Sequence, residues 1–483
     1  MIFARKPRDY QLEDFEKSKD KRSYAILYEM GLGKSKVTID TALYLYGRGK
    51  IDSLVIIAPK GIHAKWAKED FPNDIPSTLE YKVAVWRSGN QKSIDECESL
   101  FNPGERLRIL CMNIESLSTD KSPAEKLLVR FLNTTNAMLV VDESDTIKNP
   151  DAKRTKRLLK LGDKACYKRI LTGTPINNSV FDLYSQFTFL DTDIFGQSFT
   201  SFKHTYAEIL PETHPTIMAI KARGARFTPT IVAKDKDGRS IWKNISKLKE
   251  IILPFSVVRK KEDCLDLPDK VYESVYYDLE KKQRKIYDEL KLKLKVALND
   301  DTVTVVHKMT LAMRLQQVLS GFLPGDTTDG LTSLFNDPKD NPRVEALLTA
   351  IENIQGQLII WCRFVDEIKQ LEKILGEECI TYYGATSNRE EQIALFKSGK
   401  RRIMVANAVV GGAGLNLTNS STMIYYSNDF SYRNRAQSED RQHRIGQTET
   451  VVCIDLIAEN TIDEHISKVL RDKKDVAVEV MKL

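Results

Sequence analysis

The sequence has few of the residues that hold small secreted or metal-bound folds together. Seven cysteines and six histidines are scattered over 483 residues, and Cys97, Cys111, Cys166, Cys264, Cys362, Cys379 and Cys453 never fall in a C-x-x-C pair. That excludes a disulfide framework or a zinc module as the organising element and fits a reducing compartment. No apolar run reaches the ~18 residues that a membrane-spanning helix needs. Met1–Asp9 turns charged too early to supply a secretory apolar segment. The expectation is a soluble, intracellular protein without a membrane partner. Excess charge of one sign is also small, since 73 Lys and Arg against 67 Asp and Glu leave +6. This permits a nucleic-acid partner without demanding one. What the chain does have is 42% hydrophobic residues, with 18 Phe and 18 Tyr, so global disorder is excluded. Length alone suggests roughly three units of ~150 residues.

Two stretches alternate short apolar runs with longer mixed segments. In the first, Tyr24–Tyr28, Ser53–Pro59, Arg108–Met112, Ala137–Val141 and Arg169–Leu171 read as strands. The second repeats the rhythm at Gln357–Cys362, Ile380–Tyr383, Arg402–Ala406, Thr422–Tyr426 and Thr450–Ile457. Strands alternating with helical segments predict an α/β protein with parallel sheets covered on both faces. Functional loops then belong at the carboxyl ends of the strands. The intervening Phe181–Asp340 is different. Ser240–Ile252 and Lys281–Leu298 are lysine-rich with apolar residues at helical spacing, and Ile286, Leu290, Leu294 and Leu298 share one face. Leu290–Val296 also alternates with period two, but its single β-branched residue favours helix. Val257–Lys261, after Pro254, reads as a crossover between the halves, and Phe322–Pro342, rich in Gly, Pro and Asp, as a loop.

Four motifs carry chemistry. Glu29-Met-Gly-Leu-Gly-Lys-Ser35 follows an apolar strand and precedes a helical run, the layout of a phosphate-binding loop. Its glycines let backbone N–H groups approach phosphate oxygens, and the helix adds its positive end. Lys34 would reach the β- and γ-phosphates and Ser35 would hold Mg²⁺. The strict G-x-x-x-x-G-K-[ST] pattern fails at Tyr28, so an ordinary strand-to-helix turn stays open. Met138-Leu-Val-Val-Asp-Glu-Ser-Asp145 describes a buried strand delivering two carboxylates, Asp142 for Mg²⁺ and Glu143 for the attacking water, against the blander reading of a charged loop. Arg169-Ile-Leu-Thr-Gly-Thr-Pro175 ends another strand in a small-residue turn that could sense a phosphate. In Gln437-Ser-Glu-Asp-Arg-Gln-His-Arg-Ile-Gly-Gln447, Arg441 and Arg444 lie three apart and are expected to share a helical face, suited to charge on a transferring γ-phosphoryl. His443 between them reads as structural. The glycine-rich Gly411–Thr418 could let a phosphate backbone or the opposite lobe approach closely.

In this order and spacing the motifs resemble the Swi/Snf-type ATPases of helicase superfamily two. The resemblance rests on Arg8-Asp-Tyr-Gln11, Glu29–Ser35, Ile57-Ala-Pro-Lys60 with Trp66, and Asp142-Glu143 with Ile147-Lys148-Asn149. It continues through Leu171-Thr-Gly-Thr-Pro175-Ile-Asn-Asn178, Pro254–Lys261, Gly411–Thr418 and Gln437–Gln447. It implies two RecA-like lobes with helical insertions. Residues 1–253 would form the ATP-binding lobe with an insertion at about 180–253, and 254–483 the second lobe with an insertion at about 265–340. Since the match runs from Gln11 to Gln447, the expectation is a minimal motor without accessory domains.

The resemblance further implies ATP and Mg²⁺ as cofactors. Gln11 would read the adenine beside Gly31, Gly33, Lys34 and Ser35, with Gln437, Arg441 and Arg444 completing the site from the second lobe. Lys60, Asn113, Gly412, Gly414 and Thr418 would contact the DNA backbone. The basic helix expected from Asn149-Pro150 to Gly162, within a stretch Asp151–Ile170 that holds eight Lys or Arg and two Asp, would add long-range attraction. The implied function is a DNA-dependent ATPase that translocates along double-stranded DNA and remodels or displaces bound proteins or DNA structures. The alternatives are a strand-separating or fork-remodelling helicase, and a nucleotide-gated DNA clamp with weak turnover. A monomer in a bacterial or viral-host cytoplasm, or in a eukaryotic nucleus, is expected. The chain departs from the family at Asp145, usually His, at Tyr28, usually Asp, and at Asp9, commonly Pro. Asp145 puts in doubt how the hydrolytic site couples to the next motif.

Overall fold

In a computed structural model of the chain, the apolar runs form two parallel sheets, one in each of two units. The structure describes residues 3–102, 104, 106–222, 230–236, 238–299, 305–323, 332–411 and 415–481. One unit takes in Met1–Glu208, Asp235–Asp266 and Asp475–Leu483, and the other Ile209–Lys234 and Leu267–Lys474. The three-unit estimate from length gives way to these two.

The first unit carries β1 (Ser23–Tyr28), β2 (Ser53–Ala58), β3 (Tyr81–Val85), β4 (Leu107–Asn113), β5 (Ala137–Asp142), β6 (Tyr167–Leu171) and β7 (Ser256–Arg259). They lie in the order β3-β4-β2-β5-β6-β1-β7, every pair parallel. The central β2 and β5 are buried along their whole length, as continuous aliphatic runs covered on both faces should be. All carboxyl ends therefore share one edge, where the loops after β1, β2, β4, β5 and β6 gather. Two strands depart from the sequence reading. β3 is a half-polar outer strand with a weak signal. β7, expected to be a crossover opening the second lobe, pairs with β1 from Ala25↔Ser256 to Tyr28↔Arg259 and closes the first sheet.

The second unit contains β8 (Lys270–Tyr277), a short hairpin of β9 (Phe322–Leu323) and β10 (Thr332–Ser333), and β11 (Leu358–Cys362), β12 (Cys379–Tyr382), β13 (Ile403–Asn407), β14 (Thr422–Tyr425) and β15 (Val451–Ala458). The main sheet runs β12-β13-β11-β14-β15-β8, again all parallel. β8 falls in the stretch assigned to a helical insertion. Its Val and Tyr residues pair along the whole of β15, and as an edge strand it shows only a partial apolar pattern. Helices do follow, at Lys281–Asn299 and Val305–Leu319. In the first of them Tyr287 and Leu290 are buried, which settles the helix-or-strand ambiguity of that run. Of Ser240–Ile252, only Ile245–Ile252 is helical. A buried polar network ties this unit together: Glu367 accepts from Ser427 Oγ (2.6 Å), from the backbone N–H groups of Arg363 and Phe364 (3.0 and 2.9 Å) and from Ser320 Oγ. Arg343, also buried, reaches Ser320, Tyr277 and Asp463.

Candidate active site

The phosphate-type loop is built by β1 running out at Tyr28 and helix Lys34–Gly47 starting after the turn. Gly31 and Gly33 take φ of 85° and 82°, a left-handed backbone that side chains resist. At Gly33 space is lacking as well, because a Cβ would lie 2.3 Å from Gln11 Nε2. Gln11 comes from helix Asp9–Ser18. Its Nε2 donates to Leu32 O (2.9 Å), its Oε1 accepts from Arg8 N (2.9 Å), and Tyr10 Oη also donates to Leu32 O (2.9 Å). Lys34 Nζ lies 3.0 Å from Tyr28 O, joining the two ends of the loop. Ser35 is half-buried in the first turn of a 14-residue helix whose N-terminus adds partial positive charge.

β5 delivers Asp142 and then Glu143, which sits in the left-handed region at φ 50°. A glutamate held there is strained, as residues at reaction centres often are. Trp66 Nε1 donates to Asp142 Oδ2 (2.8 Å) and Glu143 N to Asp142 Oδ1 (2.9 Å). Burial, followed by the charge of Glu143, pushes the Asp142 carboxyl up to about 6, while the Trp66 bond and the charge of Lys34 oppose that rise.

The loop after β6 is tied to Ser144 and Asp145, the residues that follow Asp142 and Glu143. Asn177 Nδ2 donates to Asp145 Oδ2 (2.7 Å), and Ser144 Oγ donates to Gln186 Oε1 (2.7 Å), whose Nε2 donates to Pro175 O (2.8 Å). Asp182 Oδ2 accepts from the backbone N–H groups of Asn177 (2.8 Å) and Asn178 (2.7 Å). The aspartate at position 145 therefore still joins the two motifs, through an amide–carboxylate bond. The roles of Trp66, Asn177, Asp182 and Gln186 were not read from sequence; the Ile-Asn-Asn after Pro175 was the available signal.

In the second unit, Gln437 is half-buried on helix Tyr432–Glu439. Arg441 and Arg444 do not share a helical face. The helix ends at Glu439, whose buried carboxylate is held by Arg435 Nε (2.8 Å), Lys270 Nζ (3.0 Å) and Tyr272 Oη (2.8 Å), and the chain then turns toward Gly446 at φ 101°. The turn still brings both guanidinium groups to Leu415 O, at 3.4 and 3.2 Å. His443 Nε2 contacts Pro268 O (2.8 Å), a structural role.

Of the residues assigned to DNA, Lys60 and Asn113 are brought together at the ends of adjacent β2 and β4. Glu115 accepts from Lys60 N (3.4 Å) and Asn113 Nδ2 (3.2 Å). Thr418 is half-buried, its carbonyl 3.4 Å from Gln447 Nε2. Gly412 and Gly414 lie outside the described residues. The basic helix runs over Lys153–Gly162 and does not start at Pro150, since Asn149 Oδ1 accepts from Asp151 N (2.9 Å) and makes a turn there. Part of its charge is spent inside the fold, because Arg157 is buried against Leu117 O, Asp120 and Glu125.

Comparison with known proteins gives the chain a family. Residues 16–321 match the SNF2-related domain, and 342–446 the helicase conserved C-terminal domain. An uncharacterized ATP-dependent helicase of Mycoplasma genitalium is 28% identical over 460 residues, covering 93% of this chain and 39% of that protein. A putative ATP-dependent helicase/translocase of Bacillus subtilis is 26% identical over 464 residues, covering 92% of this chain and 45% of that protein. The chain thus spans about two fifths of the length of these relatives. The Sulfolobus solfataricus SWI2/SNF2 ATPase core in complex with dsDNA is 24% identical, with 99% of this chain and 94% of that one covered and a TM-score of 0.41. With the SNF2-related domain matched over more than half of this chain and the helicase C-terminal domain following it, the chain belongs to the SNF2-related family.

Proposed function

We propose that the chain hydrolyses ATP to move along double-stranded DNA without separating its strands, and so remodels or displaces what is bound there. The observation that carries this reading is the convergence, at one edge of the first sheet, of a two-glycine loop ending in Lys34-Ser35 and the paired Asp142 and Glu143. The donor set fits Mg²⁺-ATP: a serine hydroxyl and one carboxylate are the hard oxygen ligands that Mg²⁺ takes beside water and phosphate. Bound Mg²⁺ supplies charge neutralisation on the phosphates. Loop N–H groups and Lys34 hold the β- and γ-phosphates. Glu143 orients a water for attack on the γ-phosphorus and takes its proton as the bond to the bridging oxygen breaks.

Gln11 selects the base. With Oε1 already fixed by Arg8 N and Nε2 by Leu32 O, its amide keeps one donor and one acceptor for adenine N7 and N6, a pairing guanine does not offer. Lys60, Asn113 and the Gly411–Thr418 loop contact the DNA backbone. ATPase rates with duplex DNA, single-stranded DNA and RNA test the reading. Stimulation by duplex DNA, with displacement of a triplex strand and no unwinding of a plain duplex, is expected. Preference for RNA overturns it; unwinding makes the protein a strand-separating helicase, and binding without stimulated turnover makes it a nucleotide-gated clamp.

A further inference from the structure

The geometry points to Asp14 as a positioning residue for the nucleotide: its buried carboxylate, held by Tyr28 and Arg259, pins the helix that presents Gln11 to the phosphate loop. This rests on the reading of Gln11 as the adenine contact. Asp14 is fully buried on helix Asp9–Ser18, one turn after Gln11 and on the same face. Three donors converge on it: Tyr28 Oη on Oδ2 (2.7 Å), Arg259 Nε on Oδ2 (2.8 Å) and Arg259 Nη2 on Oδ1 (2.7 Å). Arg259 thus grips both carboxylate oxygens, fixing orientation as well as distance.

The contacts close a ring within the first unit. From Asp14 the helix leads to Gln11 and Tyr10, both bonded to Leu32 O inside the loop. At the loop's start, Glu29 N donates to Arg259 O (3.0 Å) and Glu29 Oε2 accepts from Lys261 N (2.8 Å). Arg259 then returns to Asp14 through its side chain, with Glu13 (2.7 Å) as a second anion on its outer nitrogen. Apolar packing alone would let the helix slide or roll by fractions of an ångström. Directional bonds to a charge do not. Tyr28, the departure from the family pattern at this strand end, supplies one of the three bonds to Asp14 and ties it directly to the start of the phosphate loop.

Nucleotide binding and steady-state ATPase, with ATP and with GTP, test this on Asp14→Asn, Tyr28→Phe and Gln11→Ala. Asp14→Asn is expected to raise KM for ATP about ten-fold and to erode the ATP-over-GTP preference in parallel, with kcat at saturating ATP within about two-fold. Tyr28→Phe, which removes one oxygen, follows with a shift of about three-fold. If Asp14→Asn does not fold, Tyr28→Phe decides alone. Unchanged KM and preference in the folded variants, or a fall in kcat at constant KM, overturns the proposal. If Gln11→Ala abolishes the preference while Asp14→Asn and Tyr28→Phe keep it, only the positioning role fails. If Gln11→Ala itself keeps the preference, the reading of Gln11 fails.

Discussion

At the scale of single residues, the paired carboxylates at the end of β5 are held at a cost in stability. Asp142 is buried beside Glu143 with its carboxyl pushed up to about 6, against an ordinary value of 3.8. A folded-state pKa above the unfolded one means that the group's contribution to stability is full below about pH 3.8 and is lost as pH rises through about 6. In the absence of Mg²⁺, Asp142→Asn should therefore gain in melting temperature relative to the wild type as pH rises from about 4 to about 7.5, on top of a pH-independent cost for whichever N–H bond, from Trp66 or from Glu143, its amide nitrogen cannot accept. Thermal melts of both proteins across that range check it; a gain independent of pH would refute the electrostatic cause. Glu143→Gln is expected to abolish hydrolysis, by at least about 100-fold in kcat, while ATP affinity stays within a few-fold. Single-turnover hydrolysis and equilibrium binding separate the two.

At the scale of elements, the helix behind the phosphate loop carries its own buried ion pair. Lys36 Nζ meets both oxygens of Asp40 at 2.5 Å one turn later, each residue almost fully buried, with the Phe3 ring 5.0 Å from the ammonium. Asp40→Ala leaves an unpaired buried ammonium and should cost about 3–5 kcal/mol, read in denaturant unfolding; replacing both residues by apolar ones of similar volume should cost far less. Legibility in the sequence also divides by element. Central strands such as Leu54–Ala58 and Met138–Val141 announce themselves as unbroken apolar runs because both faces are covered. The edge strands β3, β7 and β8 are paired on one side only, and their mixed composition hides them until a neighbour is known. The Gly31–Ser35 turn and Asp142-Glu143 were legible because their chemistry is local. The Trp66–Asp142, Asn177–Asp145 and Arg259–Asp14 bonds were not, because each joins residues far apart in the chain through a contact that no spacing rule encodes.

At the scale of the whole molecule, a formal charge of +6 hides strong local contrasts. Arg157 in the basic helix is consumed by Asp120 and Glu125, so part of that charge is structural. Lys60, exposed at the end of β2, is a better reporter of backbone contact. Lys60→Ala should raise the duplex concentration for half-maximal ATPase stimulation without altering the unstimulated rate. It should also reduce the slope of log affinity against log salt by about one unit. A salt titration of duplex binding checks the slope; an unchanged slope removes Lys60 from the contact.

The left-handed backbone at Glu143 has a consequence for engineering. Any effort to harden this protein by matching residue type to backbone would place glycine or asparagine there, and the substituted chain would fold at least as well. On the proposed role of Glu143 as the residue that activates water, it would also lose hydrolysis. Libraries of this chain sorted on solubility or heat resistance alone should thus drift toward loss of the glutamate. A sort that also demands turnover should hold the position fixed while the residues around it change.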